Sequence, residues 1–172
     1  ACFKTALSIQ PEYVDAHFSL GSAFQRQGSI DAAISCYRRA AELNPSSFEA
    51  HRSLGYALLQ KDDLDASLNS YRDALAVNPQ SFDVNFHLGL IYWRKGDLEN
   101  ARQHYERARV CDPENAEVLN NLGDTLLVLG EAEAAVRCLE KAIALRPDFS
   151  EAHFNLGNAL TALDRLDAAI GQ

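Results

Sequence analysis

Residues 82–115 read FDVNFHLGLIYWRKGDLENARQHYERARVCDPEN, and shifting this 34-residue frame along the chain returns the same punctuation each time. All five prolines, Pro11, Pro45, Pro79, Pro113 and Pro147, stand 34 apart, as do the pairs Leu20-Gly21, Leu54-Gly55, Leu88-Gly89, Leu122-Gly123 and Leu156-Gly157. A fixed period of this length marks an array in which one unit cannot bury its own apolar face and neighbours must stack. Counting from Val14 gives four full units, 14–47, 48–81, 82–115 and 116–149, and a partial unit, 150–172, while residues 1–13 match the second half of a preceding unit.

Each unit carries two helical patterns. In 82–115 the first has Val84, Leu88, Ile91 and Tyr92 at helical spacing. It is predicted to end at the turn where Gly28, Gly96 and Gly130 recur, with Asp62 and Asp164 in the other units, because these residues tolerate the left-handed backbone that closes a helix. The second pattern in 14–47 runs through Ile30, Ala33, Ile34, Tyr37, Ala40, Ala41 and Leu43, a stripe wide enough to meet two neighbours. Gly21 and its equivalents, with the column Ala6, Ala40, Ala74, Ala108 and Ala142, let two helices approach closely. A large residue, Phe3, Tyr37, Tyr71, Tyr105 or Leu139, fills the space opposite. Each proline then stops the second helix, since it lacks a donor and restricts the residue before it.

Leu88, Gly89, Tyr92, Ala101, Tyr105, Ala108 and Pro113 together resemble the signature of the tetratricopeptide repeat, and the resemblance extends over essentially the whole chain. Three columns depart from it: Ser67 occupies the small-residue place, Leu139 the aromatic place, and His17, His51, Asn85, Leu119 and His153 the place of an early tryptophan. The resemblance implies an all-α fold, a right-handed solenoid of helix-turn-helix hairpins whose first helices line a concave groove.

Composition narrows the function. The apolar share is 47%, and no stretch reaches the roughly 18–20 consecutive apolar residues that cross a bilayer, so no membrane insertion is expected. No secretory signal is visible, although one preceding Ala1 stays open because the chain starts in mid-helix. A net charge of −8 with no block of Lys or Arg argues against nucleic acid as a partner. Cys2, Cys36 and Cys138 share one column, where the unit 82–115 has His104, but stacked equivalent helices lie about 8–10 Å apart, too far for a disulfide ladder. They are read as half-buried packing residues, and unpaired thiols fit the reducing cytoplasm, with the periplasm left open.

No cofactor, metal or catalytic motif is present: there is no phosphate loop, His-Glu-x-x-His or Gly-x-Ser-x-Gly. The chain is therefore read as no enzyme. His17, His51 and His153 fall on separate helices and are read as packing residues. Asp15, Glu49, Asp83, Glu117 and Glu151 open every first helix, where a carboxylate favours the helix dipole by about 0.3–1 kcal/mol.

The face pointing away from the Leu-Gly stripe is the candidate partner-binding groove. In its first part it holds Phe18, Ser22, Gln25, Arg26, Arg52, Tyr56, Phe86, His87, Leu90, Trp93 and Arg94. Asn120, Asn121, Asp124, Leu127, Phe154, Asn155, Asn158 and Thr161 follow. Aromatics and arginines are enriched at interface hot spots, which singles out Trp93, the one tryptophan of the chain. Phe18, Phe86 and Phe154 have an alternative role, bracing adjacent helices.

Asn121 and Asn155 resemble the asparagine ladder in the repeat region of the nucleocytoplasmic O-linked N-acetylglucosamine transferase, a ladder broken here by Ser19, Ser53 and His87. Bacterial-type arrays are similar too. Asp83 with His87 and Glu117 with Asn121 depart from the Lys/Arg clamp by which another subfamily holds chaperone termini. The expected function is a scaffold that binds an extended segment of a partner protein, the alternative being the substrate-recruiting arm of a larger enzyme such as a glycosyltransferase. The uncapped terminal patterns also fit an excerpt of a longer array and end-to-end self-association.

Overall fold

The computed structural model describes residues 9–170, with side chains through Asp164. The expectations for Cys2, Phe3, Ala6 and the helix of a preceding unit fall outside the described residues. Two compact units are present, Ala1–Pro79 and Gln80–Gln172.

The first unit contains α1 (Val14–Arg26), α2 (Ile30–Leu43), α3 (Phe48–Gln60) and α4 (Leu64–Val77). The second contains α5 (Phe82–Arg94), α6 (Leu98–Cys111), α7 (Ala116–Val128), α8 (Ala132–Leu145) and α9 (Ser150–Ile170). Consecutive helices pair as hairpins, α1 with α2, α3 with α4, α5 with α6 and α7 with α8. In each unit a second helix also lies against the first helix of the next hairpin, α2 on α3, α6 on α7 and α8 on α9. The architecture is an all-α solenoid of helical hairpins, with a core that runs between layers instead of forming one centre.

Four identical turns make the hairpins. Backbone φ is positive at Gly28, Asp62, Gly96 and Gly130. In each turn the following N–H donates back to a carbonyl in the last turn of the helix: Ser29 to Phe24, Asp63 to Leu58, Asp97 to Tyr92 and Glu131 to Leu126. This is the Schellman closure, and it demands the left-handed residue. At Asp62 that backbone is held by a side chain with a Cβ, φ +62°, where the other three turns use glycine.

Asp164 behaves differently: α9 runs unbroken through it to Ile170, so the turn expected there does not form. A left-handed aspartate costs about 1–2 kcal/mol. At Asp62 the long α4 and its buried Leu68, Tyr71 and Ala74 offset that cost. The stretch Leu163-Asp164-Arg165-Leu166 contains no helix-breaking residue, and the helix continues.

The other ends are set by proline and by polar caps. Asn44, Asn78, Asp112 and Arg146, each preceding a proline, are extended with φ between −139° and −132°. Ser47, Ser81 and Asn115 then cap the next first helix, their side chains accepting from the N–H of Ala50, Val84 and Val118. Asp15, Glu49, Asp83, Glu117 and Glu151 occupy the first turns.

His17, His51 and His153 do more than pack. Each ring donates from Nε2 to the carbonyl of its own proline, Pro11 at 2.8 Å, Pro45 at 2.9 Å and Pro147 at 2.9 Å. Where Asn85 takes this place, its amide donates to the Ser81 carbonyl at 2.8 Å and accepts from His104 Nδ1 at 3.0 Å. His104 in turn stacks on Tyr92. The departure at Ser67 is also satisfied, since its buried hydroxyl donates to the Gly55 carbonyl at 2.7 Å. Cys36 and Cys138 are half-buried free thiols, and burial pushes both up in pKa.

Within each hairpin the closest packing is glycine against ring. A Cβ added at Gly21 would lie 2.8 Å from Tyr37, at Gly55 2.9 Å from Tyr71, at Gly89 2.5 Å from Tyr105 and at Gly123 2.6 Å from Leu139. At Gly157 nothing lies within 4 Å. The same substitution in one sequence column is therefore expected to have opposite effects. Gly89→Ala must displace a buried tyrosine and should destabilise by about 1–3 kcal/mol. Gly157→Ala meets no neighbour and should stabilise by about 0.5–1 kcal/mol through helix propensity. Urea melts of the two variants against the parent chain check both signs.

Candidate functional site

Each of the two units carries candidate residues on its own first helices. In the unit Ala1–Pro79 these are Phe18 and Arg26 on α1 and Arg52 and Tyr56 on α3. Phe18 is half-buried and packs on Tyr37, ring centroids 5.6 Å apart, so it braces its hairpin. Arg52 lies over the Phe48 ring at 5.9 Å. Arg26 and Tyr56 are exposed. Ser22 and Gln25 are occupied internally: the Tyr37 hydroxyl lies 2.7 Å from Gln25 Oε1, to which it donates, and 3.3 Å from Ser22 Oγ.

In the unit Gln80–Gln172 the face is formed by α5, α7 and α9. Phe86 stacks on Phe82 at 6.1 Å and leans on Tyr105 at 6.2 Å, a bracing role like that of Phe18. His87 donates from Nδ1 to the Asp83 carbonyl at 2.7 Å and lies edge-on to Phe86. Leu90 is half-buried, Arg94 is exposed, and Trp93 keeps 43% of its surface open.

Trp93 is not loose. Its indole N–H donates to the half-buried carboxylate of Asp124, which ties α5 to α7. Burial raises the pKa of that carboxyl, the Trp93 hydrogen bond lowers it, and the nearby Glu151 carboxylate adds to the rise. The Tyr105 phenol is pushed up as well, by its own burial and then by Asp124. A ring fixed by one edge and open on its face is suited to anchoring an apolar side chain at low entropic cost.

The amides are arranged differently from the sequence expectation. Asn155 is buried, and its Nδ2 donates to Asn120 Oδ1 at 3.0 Å; Asn120 is 1% exposed and donates in turn to Asn121 Oδ1 at 3.3 Å. Two of the three amides are thus sealed between helices, and Asn121, half-buried, is the outermost. Asn158 and Phe154 are exposed, Phe154 to 70%. Leu127 is half-buried, and exposed Thr161 bonds the Gly157 carbonyl.

The Trp93–Asp124 tie and the Asn155–Asn120–Asn121 chain escaped sequence reading. A signal existed: Trp93 stands in the column of Gln25, the residue that serves the tyrosine hydroxyl in the other unit. Among the described residues no group of three His, Cys, Asp or Glu side chains is placed to hold a metal ion, and no helix is long and apolar enough to cross a membrane.

Known structures share this geometry. The chain superposes on MamA with a TM-score of 0.80 at 25% identity, over 87% of each chain. YrrB, described as a tetratricopeptide-repeat protein with an unusual peptide-binding site, matches at 0.86 and 20% identity over 99% of this chain and 92% of its own. PilF of Pseudomonas aeruginosa matches at 0.73 and 25% identity over 88% and 69%. No curated protein sequence matches the chain. The family model of the cilia and flagella-associated protein 70 C-terminal domain, a tetratricopeptide-repeat domain, matches residues 1–172, and the chain belongs to that family.

Proposed function

We propose that the chain is a non-enzymatic scaffold whose first-helix face in the unit Gln80–Gln172 holds an extended segment of a partner protein. The observation that carries this reading is Trp93: a large ring, 43% exposed, held by Asp124 and flanked by exposed Arg94. Exposed aromatics and arginines on a rigid support are the residue types that concentrate binding energy. Asn121, Asn158 and Asp124 offer donors and acceptors alongside for a peptide backbone. Support comes from the family and from the likeness to YrrB, a protein described as having an unusual peptide-binding site. In the unit Ala1–Pro79, Arg26, Arg52 and Tyr56 form a second contact surface for the same kind of partner.

Because Trp93 is the single tryptophan, its emission reports on the site directly. Peptides selected by phage display against the whole chain should shift that emission to the blue on binding. Trp93→Ala should weaken the selected peptides by about 2 kcal/mol, roughly thirtyfold, with Arg94→Ala having a smaller effect. Far-ultraviolet dichroism and melting should stay those of the parent. Selected peptides that leave the emission unchanged and bind Trp93→Ala with undiminished affinity would show that the site lies elsewhere.

A further inference from the structure

The second helices carry two apolar columns from which α6 alone departs. One reads Ile34, Leu68 and Val136 in α2, α4 and α8, and Arg102 in α6. The other reads Ala41, Leu75 and Ile143, and Arg109 in α6. In the first unit the role of the apolar residue is plain: Ile34, 7% exposed, is buried with Leu54 and Leu58 of α3 and closes the seam above that helix.

Leu122 and Leu126 of α7 hold the places of Leu54 and Leu58, and over them stands an arginine. A guanidinium is not buried on leucines without a large desolvation cost. Arg102 instead turns outward, 2.6 Å from Glu131 and 3.4 Å from Glu106. The seam stays open as a cleft of about 470 Å³. Its walls are α6 and α8, and its floor is Leu119, Leu122 and Leu126 with Ala134 and Cys138.

Around this cleft the charge is reversed from that of the chain. Arg109, Arg137 and Lys141 line it, all exposed, and none has an ion pair among the described residues. Glu106 and Glu131, the acidic residues that line it, are both engaged by Arg102. Arg137 and Lys141 stand one turn apart on one face of α8, where like charges repel. Burial raises the pKa of the Cys138 thiol in the cleft, Arg109, Arg137 and Lys141 lower it, and Glu106 adds to the rise, so all four charges act on the same lining residue. A chain of net charge −8 thus gathers Arg102, Arg109, Arg137 and Lys141 against two carboxylates around an apolar floor, a local excess of positive charge.

We propose that this second-helix cleft, on α6, α7 and α8, is a separate docking site for an acidic peptide segment bearing an apolar side chain. The carboxylates meet Arg109, Arg137 and Lys141, and the apolar side chain enters between α6 and α8 over the leucines, where the other repeats place their own aliphatic residue. Charge complementarity selects the acidic segment. A nucleic acid is disfavoured because its repeated phosphates extend past the cleft onto an acidic chain, and a lipid surface because the apolar floor is recessed between two helices.

Fluorescence anisotropy with the full chain tests this. The probes are a short fluorescein-labelled peptide rich in Glu and Asp with a central leucine, the same peptide with glycine for leucine, a lysine-rich counterpart, and a single-stranded oligonucleotide of similar length. The leucine-bearing acidic peptide should bind most tightly, and Arg137→Glu with Lys141→Glu should weaken it about tenfold or more. Arg102→Ile with Arg109→Leu restores the repeat columns. It should abolish binding and raise Tm by about 2–4 °C, so loss of the site is separated from loss of the fold. Trp93→Ala should leave binding of this peptide unchanged, which keeps the result independent of the first-helix face. The proposal is overturned if no acidic peptide binds saturably, if the charge-reversed chain binds equally well, if the oligonucleotide binds as tightly as the peptide, or if Trp93→Ala removes the binding.

Discussion

The missing Cβ at one position per hairpin sets the distance between its two helices. Gly21, Gly55, Gly89 and Gly123 each lie where a methyl group would meet a buried side chain at 2.5–2.9 Å. Three of those side chains are tyrosines, each at most 2% exposed, and the fourth is Leu139, fully buried. Close-packed interiors transmit such constraints without slack. Once the rings are seated, the left-handed turn, the extended residue before proline and the placement of the next first helix follow in each repeat. Leu139, in the place of tyrosine, keeps this contact because its branched side chain is fully buried against Gly123, while the hydroxyl is lost.

Much of this was legible in the sequence because it is repeated. A glycine against a large residue, recurring at 34-residue spacing, can be read without coordinates, and so can the left-handed positions Gly28, Asp62, Gly96 and Gly130. What repeats less well was less legible. Asp164 stands in the turn column but remains helical, since an aspartate tolerates the left-handed backbone without requiring it. The caps at Ser47, Ser81 and Asn115 were overlooked beside the louder proline signal. The first-helix face was read by geometry that places side chains in or out, yet does not tell which polar groups find each other across a layer. Asn155 thus points at Asn120 instead of outward, and Trp93 bonds Asp124.

The two faces of the second unit divide the chemistry. On the first helices, polar and aromatic groups are tied to one another, so that exposed surface is presented in fixed positions. On the second helices, arginine in an aliphatic column leaves a gap and a local excess of positive charge. Surface ion pairs such as Arg102 with Glu131 add little to stability, about 0–1 kcal/mol, so the arginines are poorly explained as glue. Lys61 with Asp31 and Arg146 with Glu117 are exposed pairs of the same low value.

The buried amides of Asn155 and Asn120 have a mechanical consequence. Apolar surfaces slide past one another at small cost, because one methyl contact is exchanged for another. A pair of sealed amides does not allow this, since displacement of α9 along α7 by even a fraction of a turn strands donors and acceptors away from water. The pair therefore acts as a detent against shear, keeping α9 in step with α7.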